Sequence, residues 1–256
     1  MTFEDLLEKG SRALDEGDAR VAQECFRNAL QLQDSADAWL NLAEAQIENG
    51  QLAEAHASLA RGAALEPGNI DLLLTWGDLY LEENRNSEAI ASYQKVIDLD
   101  PEEIDAWISK AMAYVNIDDL EAAEATCRKA LDIDPDSVFA LNALGDICSA
   151  QGLTEQAMDS YRRALELDPE DPQPCLSLAE LYYEAENLDQ AETYCRRGMT
   201  LDPGLPSGYL TLGNICLDQD RTEEAVENYQ QFLRLEKSPA AKQICDEVAA
   251  VIEGLR

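Results

Sequence analysis

Residues 67–101 read PGNIDLLLTWGDLYLEENRNSEAIASYQKVIDLDP, and the prolines at the two ends lie 34 residues apart. The same interval recurs at Pro135, Pro169 and Pro203, in the phrases LEPGN, LDPEE, IDPDS, LDPED and LDPGL. Chance does not give four equal intervals in a row, so the chain is built from repeated units. With these five prolines at position 32 of their units, and a first unit that lacks the proline and is one residue short, position 8 is small in all seven: Gly10, Ala43, Gly77, Ala111, Gly145, Ala179 and Gly213. Position 20 is always alanine, from Ala22 to Ala225, and position 24 holds Phe26, Leu59, Tyr93, Cys127, Tyr161, Cys195 or Tyr229. The repeats run over 3–35, 36–69, 70–103, 104–137, 138–171, 172–205 and 206–239, followed by a segment at 240–256. A single repeat domain over 1–256 is expected, with no linker left over.

Each repeat reads as two helices. The first carries apolar residues at helical spacing, such as Trp107, Met112 and Tyr114,. It ends near position 15, where Gly17, Gly50 and Gly152 suit the left-handed residue that closes a helix,. Asn84, Asp118 and Asp220 tolerate that conformation, and Glu186 is the misfit,. The second helix runs through the alanine at position 20 and ends before the proline. The acidic residue after the proline is expected to begin the next pair. Small residues at 8 and 20 allow close backbone approach, and the residue at 24 fills the space beside them. Residues 240–256 place Ile244, Val248, Val251, Ile252 and Leu255 on one stripe, so they are expected to cap the exposed end of the stack,. Phe232 fills space under that cap.

Composition narrows the function. There are 52 Asp and Glu against 19 Lys and Arg, a net charge of −33. A nucleic-acid binder needs a basic footprint, and an anionic membrane surface attracts basic segments, so both partners are disfavoured. With 46% hydrophobic residues the chain is not an acidic disordered tail,. No stretch is long and apolar enough for a transmembrane helix, and the acidic start MTFEDLLEKG lacks a signal-peptide pattern,. Seven cysteines without a CxxC pair suit a reduced, cytoplasmic setting,.

The pattern resembles the tetratricopeptide repeat, W-x2-L-G-x2-Y…A-x3-F…P over 34 residues. The third repeat shows it in TWGDLY followed by Ala89, Tyr93 and Pro101; the second shows Trp39, Leu42, Ala43, Ala55 and Pro67. Lys9 and Lys110 depart from it at the usually apolar position 7, and are expected to run their stems along the core with the amine in water. The resemblance implies an all-α, right-handed superhelical solenoid whose first helices line a concave groove. In the family, positions 2, 5, 9, 12 and 13 face that groove, with position 6 nearby. Carried over, they give Glu4, Leu7, Glu8, Asp37, Leu40, Asn41, Glu44, Glu48, Asp71, Leu74, Asp78, Leu81, Glu82, Asp105, Ile108, Asn142, Asp146, Glu180, Tyr183 and Asn214 as candidate partner-binding residues.

No Lys or Arg falls in that set. The bases collect at positions 25 and 26, among them Arg61, Arg128, Lys129, Arg162, Arg163, Arg196 and Arg197. There they are expected to complement second-helix C-termini. The groove acids have no such structural reason. Some family members bind the acidic tails of chaperones through groove Lys, Arg and Asn. Here only Asn41 suits, and Asp71 and Thr75 stand where that mode needs bases, so it is rejected. What remains is a groove of apolar rows between carboxylates, densest in acids over repeats one to three. Its complement is a basic or amphipathic, apolar-anchored segment of another protein.

Chemistry has little footing. Cys127, Cys148, Cys175, Cys195 and Cys216 fall at core positions and read as buried fillers. His56 reads as a surface residue, and no metal or cofactor set is expected. Trp39, Trp76 and Trp107 read as fillers of helix-pair cores. No G-x-S-x-G, phosphate loop or H-E-x-x-H occurs, so no enzyme is expected,. The sequence reading is a non-catalytic scaffold or adaptor. Its alternatives are a regulatory subunit acting through the convex face or end cap, and a peptide sensor working with a second chain. Self-association stays open.

Overall fold

The computed structural model describes residues 1–255 and forms two compact units, Met1–Asp134 and Pro135–Arg256. The first holds α1 (Phe3–Asp15), α2 (Ala19–Leu32), α3 (Ala36–Glu48), α4 (Leu52–Leu65), α5 (Ile70–Glu82), α6 (Asn86–Leu99), α7 (Ile104–Asn116) and α8 (Leu120–Ile133). The second holds α9 (Val138–Ala150), α10 (Thr154–Leu167), α11 (Pro172–Glu184), α12 (Leu188–Leu201), α13 (Pro206–Asp218), α14 (Thr222–Leu235), a 3-10 turn (Pro239–Ala241) and α15 (Lys242–Gly254). Among the described residues there is no strand. Each first helix begins on position 1 of its repeat, so the proline register and the helical register coincide.

The punctuation follows backbone chemistry. The seven residues at position 15 all take positive φ, including Glu186 at 58°. The residue before each conserved-phase proline leaves the helical region, as in Asp100 at φ −133°, ψ 98°, because the proline ring disfavours a helical neighbour,. The next helix is capped at position 34 rather than by the acid after the proline. Asn69, Ser137 and Asp171 accept there from backbone N–H groups, and an N-cap must be the last non-helical residue to reach them,.

The core repeats with a two-stroke rhythm. All seven position-20 alanines are fully buried. Where position 8 is glycine, position 24 is aromatic: a Cβ added to Gly77 would sit 2.4 Å from the Tyr93 ring, and Gly10, Gly145 and Gly213 are covered likewise by Phe26, Tyr161 and Tyr229. Where position 8 is alanine, position 24 shrinks to Leu59, Cys127 or Cys195. The helix pair thus keeps its spacing by trading one methyl group against a ring.

Within each unit every helix packs on its successor. In addition α1 touches α3, α3 touches α5, α5 touches α7 and α11 touches α13, whereas no second helix makes comparable contact with the next second helix. Each unit therefore has an inner face of closely spaced first helices and an outer face where second helices splay. Phe232, Val248 and Ile252 are buried together where α15 closes the second unit. The buried stripe of α15 is narrower than expected. Ile244 and Val251 are more than a third exposed, and Cys245 packs inward instead.

Several side chains differ from the sequence reading. Lys110 is buried, and its Nζ donates to Gln94 Oε1 at 2.5 Å over the rings of Trp107 and Tyr114. A partner waits inside, so the amine has no need to reach water. His56 is a half-buried junction: Nδ1 accepts from Trp76 Nε1 at 2.9 Å, so Nε2 carries the proton toward Glu83 Oε2 at 2.8 Å. The bases at positions 25 and 26 stop short of the last helical turn. Several of them bridge to side chains instead: Arg128 pairs with Glu124, Arg163 with Asp136, and Arg162 donates to the Tyr182 hydroxyl. The tryptophans are half-buried at the edges of the core, with Trp39 Nε1 donating to Asp34 and Trp107 Nε1 to the Pro101 carbonyl.

Candidate functional site

In the first unit the inner face carries two kinds of row. Leu7, Leu40, Leu74, Leu81 and Ile108 are half-buried, as apolar side chains on a packed wall must be. Glu4, Glu8, Asp37, Glu48, Asp71, Asp78, Glu82 and Asp105 are exposed between them, with Asn41 and Glu44 half-buried. Successive first helices bring acids from different repeats into each other's field. Glu44 is raised above the usual carboxylate range by burial, and then by the charges of Asp71 and Glu48. Asp78 is raised by burial, partly offset by the Tyr93 hydroxyl that it accepts at 2.6 Å, with Asp105 adding to the rise.

That tyrosine bond corrects one expectation. Asp78 and Asp146 do have a structural partner, because each accepts from the position-24 tyrosine of its own repeat at 2.6 Å. Asn214 accepts from Tyr229 at 2.8 Å in the same way. Glu44 and Glu180 stand in repeats where position 24 is Leu59 or Cys195, and make no such bond.

The second unit adds a cavity. Alpha9 and α11 lack the close contact made by α11 and α13. The space between them is a cavity of about 360 Å³ lined by Asp146, Ser149, Ala150, Tyr161, Gln173, Ser177, Glu180, Leu181 and Glu184. Three carboxylates face it and no Lys or Arg lines it. Glu180 is raised by desolvation, then by Glu184 and Asp146, although the residue is exposed as a whole. Carboxylates that repel one another in a partly desolvated cleft favour an incoming cation. Beside the cavity, Asn142 Nδ2 donates to Asp171 Oδ2 at 3.0 Å while its Oδ1 is buried without a partner among the described residues. Tyr183 donates to Asp218 at 2.7 Å, and burial followed by that bond pushes its hydroxyl up to about 12.

Of the sequence-derived set, the structure brings Asp146 and Glu180 into one cavity, and Glu44, Glu48 and Asp71 into one field. Glu184, Gln173, Ser149 and Ser177 also line the cavity and were left out of the candidate set. The signal was the run of small residues Ser149 and Ala150 at positions 12 and 13, where other repeats carry Ile47 and Glu48 or Leu81 and Glu82. The thiols offer no reactive alternative. Six of the seven cysteines are buried and all are free; burial pushes Cys195 up to about 12 and Cys216 to about 11,.

Comparison with known proteins agrees with this architecture. The family described as the C-terminal domain of cilia and flagella-associated protein 70 matches residues 69–250, and the tetratricopeptide repeat family matches residues 13–76. No curated protein matches the sequence. A tetratricopeptide repeat protein from Parabacteroides merdae superposes with a TM-score of 0.78 at 21% identity, covering 98% of each chain. Yeast Tom70 superposes at 0.74 and 18% identity, over 99% of this chain and 53% of its own. PilW, a type IV pilus biogenesis factor, gives 0.70 and 19% identity, over 82% of this chain and 97% of its own. At these identities the solved structures speak to the fold alone. The family matches, the 34-residue register and the helix pairs agree, and the chain belongs to the tetratricopeptide-repeat family, matched over most of its length by the cilia and flagella-associated protein 70 C-terminal domain.

Proposed function

We propose that this protein is a non-catalytic adaptor that holds a basic, apolar-anchored segment of a partner protein against its inner faces. Tetratricopeptide repeats serve as protein-interaction scaffolds, and the finer reading rests on chemistry. The observation that carries it is the cavity between α9 and α11, where Asp146, Glu180 and Glu184 meet without a base among the lining residues. A Lys or Arg side chain of the partner would enter there, and its apolar residues would lie on half-buried leucines such as Leu210 or, in the first unit, Leu40 and Leu74. Charge complementarity of this kind sets register and speeds encounter more than it adds raw affinity. Seven free cysteines accord with the cytoplasmic setting that belongs to the same reading,.

Isothermal titration with a twelve-residue peptide alternating leucine with lysine and arginine tests it. Binding is expected to weaken by about tenfold when Glu180→Lys is combined with Glu184→Lys. It should also weaken steadily with added salt. In the first unit Glu44→Lys with Glu48→Lys is the matching pair, since Asp78 also holds Tyr93 in place. Binding that ignores salt and both charge reversals would sink the electrostatic reading. An equally tight interaction with a glutamate-for-lysine version of the peptide would sink it as well.

A further inference from the structure

The outer faces carry the opposite chemistry. Where second helices splay, a wedge opens between α2 and α4, floored by α3. It is a cavity of about 490 Å³ lined by Arg27, Leu30, Gln31, Trp39, Leu42, Gln46, Glu54, Ala57, Ser58 and Arg61. Leu30, Trp39, Leu42 and Ala57 make an apolar wall. Arg27 and Arg61 stand exposed on its lips. Arg27 donates to Gln23 Oε1 at 3.1 Å, and neither guanidinium forms an ion pair among the described residues. In the floor, Gln46 is only 4% exposed; its Oε1 accepts from Ser58 at 2.7 Å and its amide nitrogen donates to no other described residue. The site therefore holds two guanidiniums without an ion pair and one amide nitrogen without an acceptor, against the single carboxylate of Glu54.

The same register position in the second unit shows what a wedge with a paired position-25 arginine looks like. Between α12 and α14 a cavity of about 350 Å³ is lined by Arg196, Met199, Leu212, Glu224, Glu227, Asn228 and their neighbours. Arg196 and Arg27 both hold position 25, Glu224 and Glu54 both hold position 19. There Arg196 is clamped between Glu192 and Glu224, and Arg221 bridges the same two acids. Position 22 is Glu227 where the first wedge has Ala57, and position 26 is Gln231 where the first has Arg61. In the second wedge the position-25 arginine is paired, and Arg234 is the lining base left without an ion pair among the described residues. The other keeps two bases open in a chain that has 52 acids for 19 bases. Such bases are the ones an external anion can claim.

We propose that the wedge between α2 and α4 is a second binding site, which takes an acidic segment of a partner protein with an aromatic or branched apolar side chain beside its carboxylates. The apolar side chain would lie on Trp39 and Leu42, one carboxylate would bridge Arg27 and Arg61, and a backbone carbonyl would accept from Gln46. Arginine suits this role because its planar fork matches a carboxylate. The site lies apart from the inner-face acids and does not depend on their use.

The three tryptophan indole N–H resonances report on it, since Trp39 lines the wedge while Trp76 and Trp107 do not. Nitrogen-15-labelled protein is titrated with the peptide acetyl-Asp-Phe-Leu-Glu-amide, and the Trp39 signal is identified with Trp39→Phe. The Trp39 resonance is expected to move saturably while the other two stay still. Arg27→Glu combined with Arg61→Glu should weaken binding by about tenfold or more. Ala57→Phe, which fills an exposed lip without touching the core, should abolish it, with helical circular dichroism confirming the fold of each variant. No Trp39 shift up to about 1 mM peptide, the weak limit of a specific contact, would overturn the proposal. So would equal binding of acetyl-Lys-Phe-Leu-Lys-amide, which would remove the charge argument, or of acetyl-Asp-Ser-Gly-Glu-amide, which would remove the apolar one. Free 4-phenylbutyrate binding as tightly as the peptide would make the ligand a small organic acid and overturn the assignment to a protein segment.

Discussion

At the scale of single residues, the exchange between positions 8 and 24 is the sharpest claim the molecule makes about itself. Gly77 lies under the Tyr93 ring so closely that a methyl group has no place, whereas Ala43 and Leu59 are both fully buried in the equivalent pair. Gly77→Ala should destabilise the protein by about 1–3 kcal/mol, the usual cost of overpacking a core. Tyr93→Leu alone should cost about as much, since it leaves a gap and removes the bond to Asp78,. The double variant reproduces the Ala43–Leu59 pair. It should be no less stable than Tyr93→Leu alone, giving a coupling of about 1 kcal/mol or more in urea unfolding. Strictly additive effects would show that the two positions do not share one space. Both halves of this pairing stand in the sequence at fixed offsets, so it was open to reading there. Lys110 and His56 were not. Their partners Gln94 and Glu83 are reached only when neighbouring helices pack, and the period says nothing about such singular contacts.

Elements were legible to within a residue or two because two signals coincide, a proline every 34 residues and a left-handed residue at position 15,. Glu186 tests how far the second signal is obligatory. It holds φ 58° with a side chain that gains nothing local to stabilise the left-handed region. Replacing it with glycine removes the contact of Cβ with the carbonyl, offset by glycine's greater freedom when unfolded. Glu186→Gly should stabilise the protein by about 0.5–1 kcal/mol, read as a higher denaturation midpoint at unchanged slope. A lower midpoint would mean that Glu186 carries a contact outweighing the strain. The candidate site was less legible than the elements. Family register gave its positions, but the cavity between α9 and α11 comes from missing volume at Ser149 and Ala150 and from helix separation, neither of which is a residue that a motif can name. The outer wedge was missed for a related reason: Arg27 and Arg61 stand at the same positions as the paired Arg128, Arg163 and Arg196, and only the packed structure separates the two kinds.

For the whole molecule, charge sets the response to solvent. The −33 net charge makes each further ionisation harder, and the structure shows where the strain gathers,. Glu44, Asp78, Asp146 and Glu180 are all raised, chiefly by desolvation. An acid raised by folding binds its proton more tightly in the native state. Its penalty is therefore complete above the folded value and fades as pH falls through it toward the unfolded one. The acids held low act the other way. Glu83 is held low first by its bond with His56, and Glu192, against its own desolvation, by Arg196 and Arg221. They lose their stabilisation only below the ordinary carboxylate range, so in the interval just above that range the raised acids decide the sign. The midpoint of thermal unfolding should rise as pH is lowered across that interval. Added sodium chloride should raise it at pH 7.5, and by less as pH nears the carboxylate range, because salt screens a repulsion that protonation there relieves. Glu44→Gln should raise the midpoint at pH 7.5 and flatten its dependence on pH, since the amide keeps the size of the side chain and drops the charge among Asp71 and Glu48. A midpoint that falls on acidification, or a Glu44→Gln protein with the parent's pH profile, would show that the inner-face carboxylates are too well solvated to feel one another. They would then lack the unmet charge on which a basic partner depends.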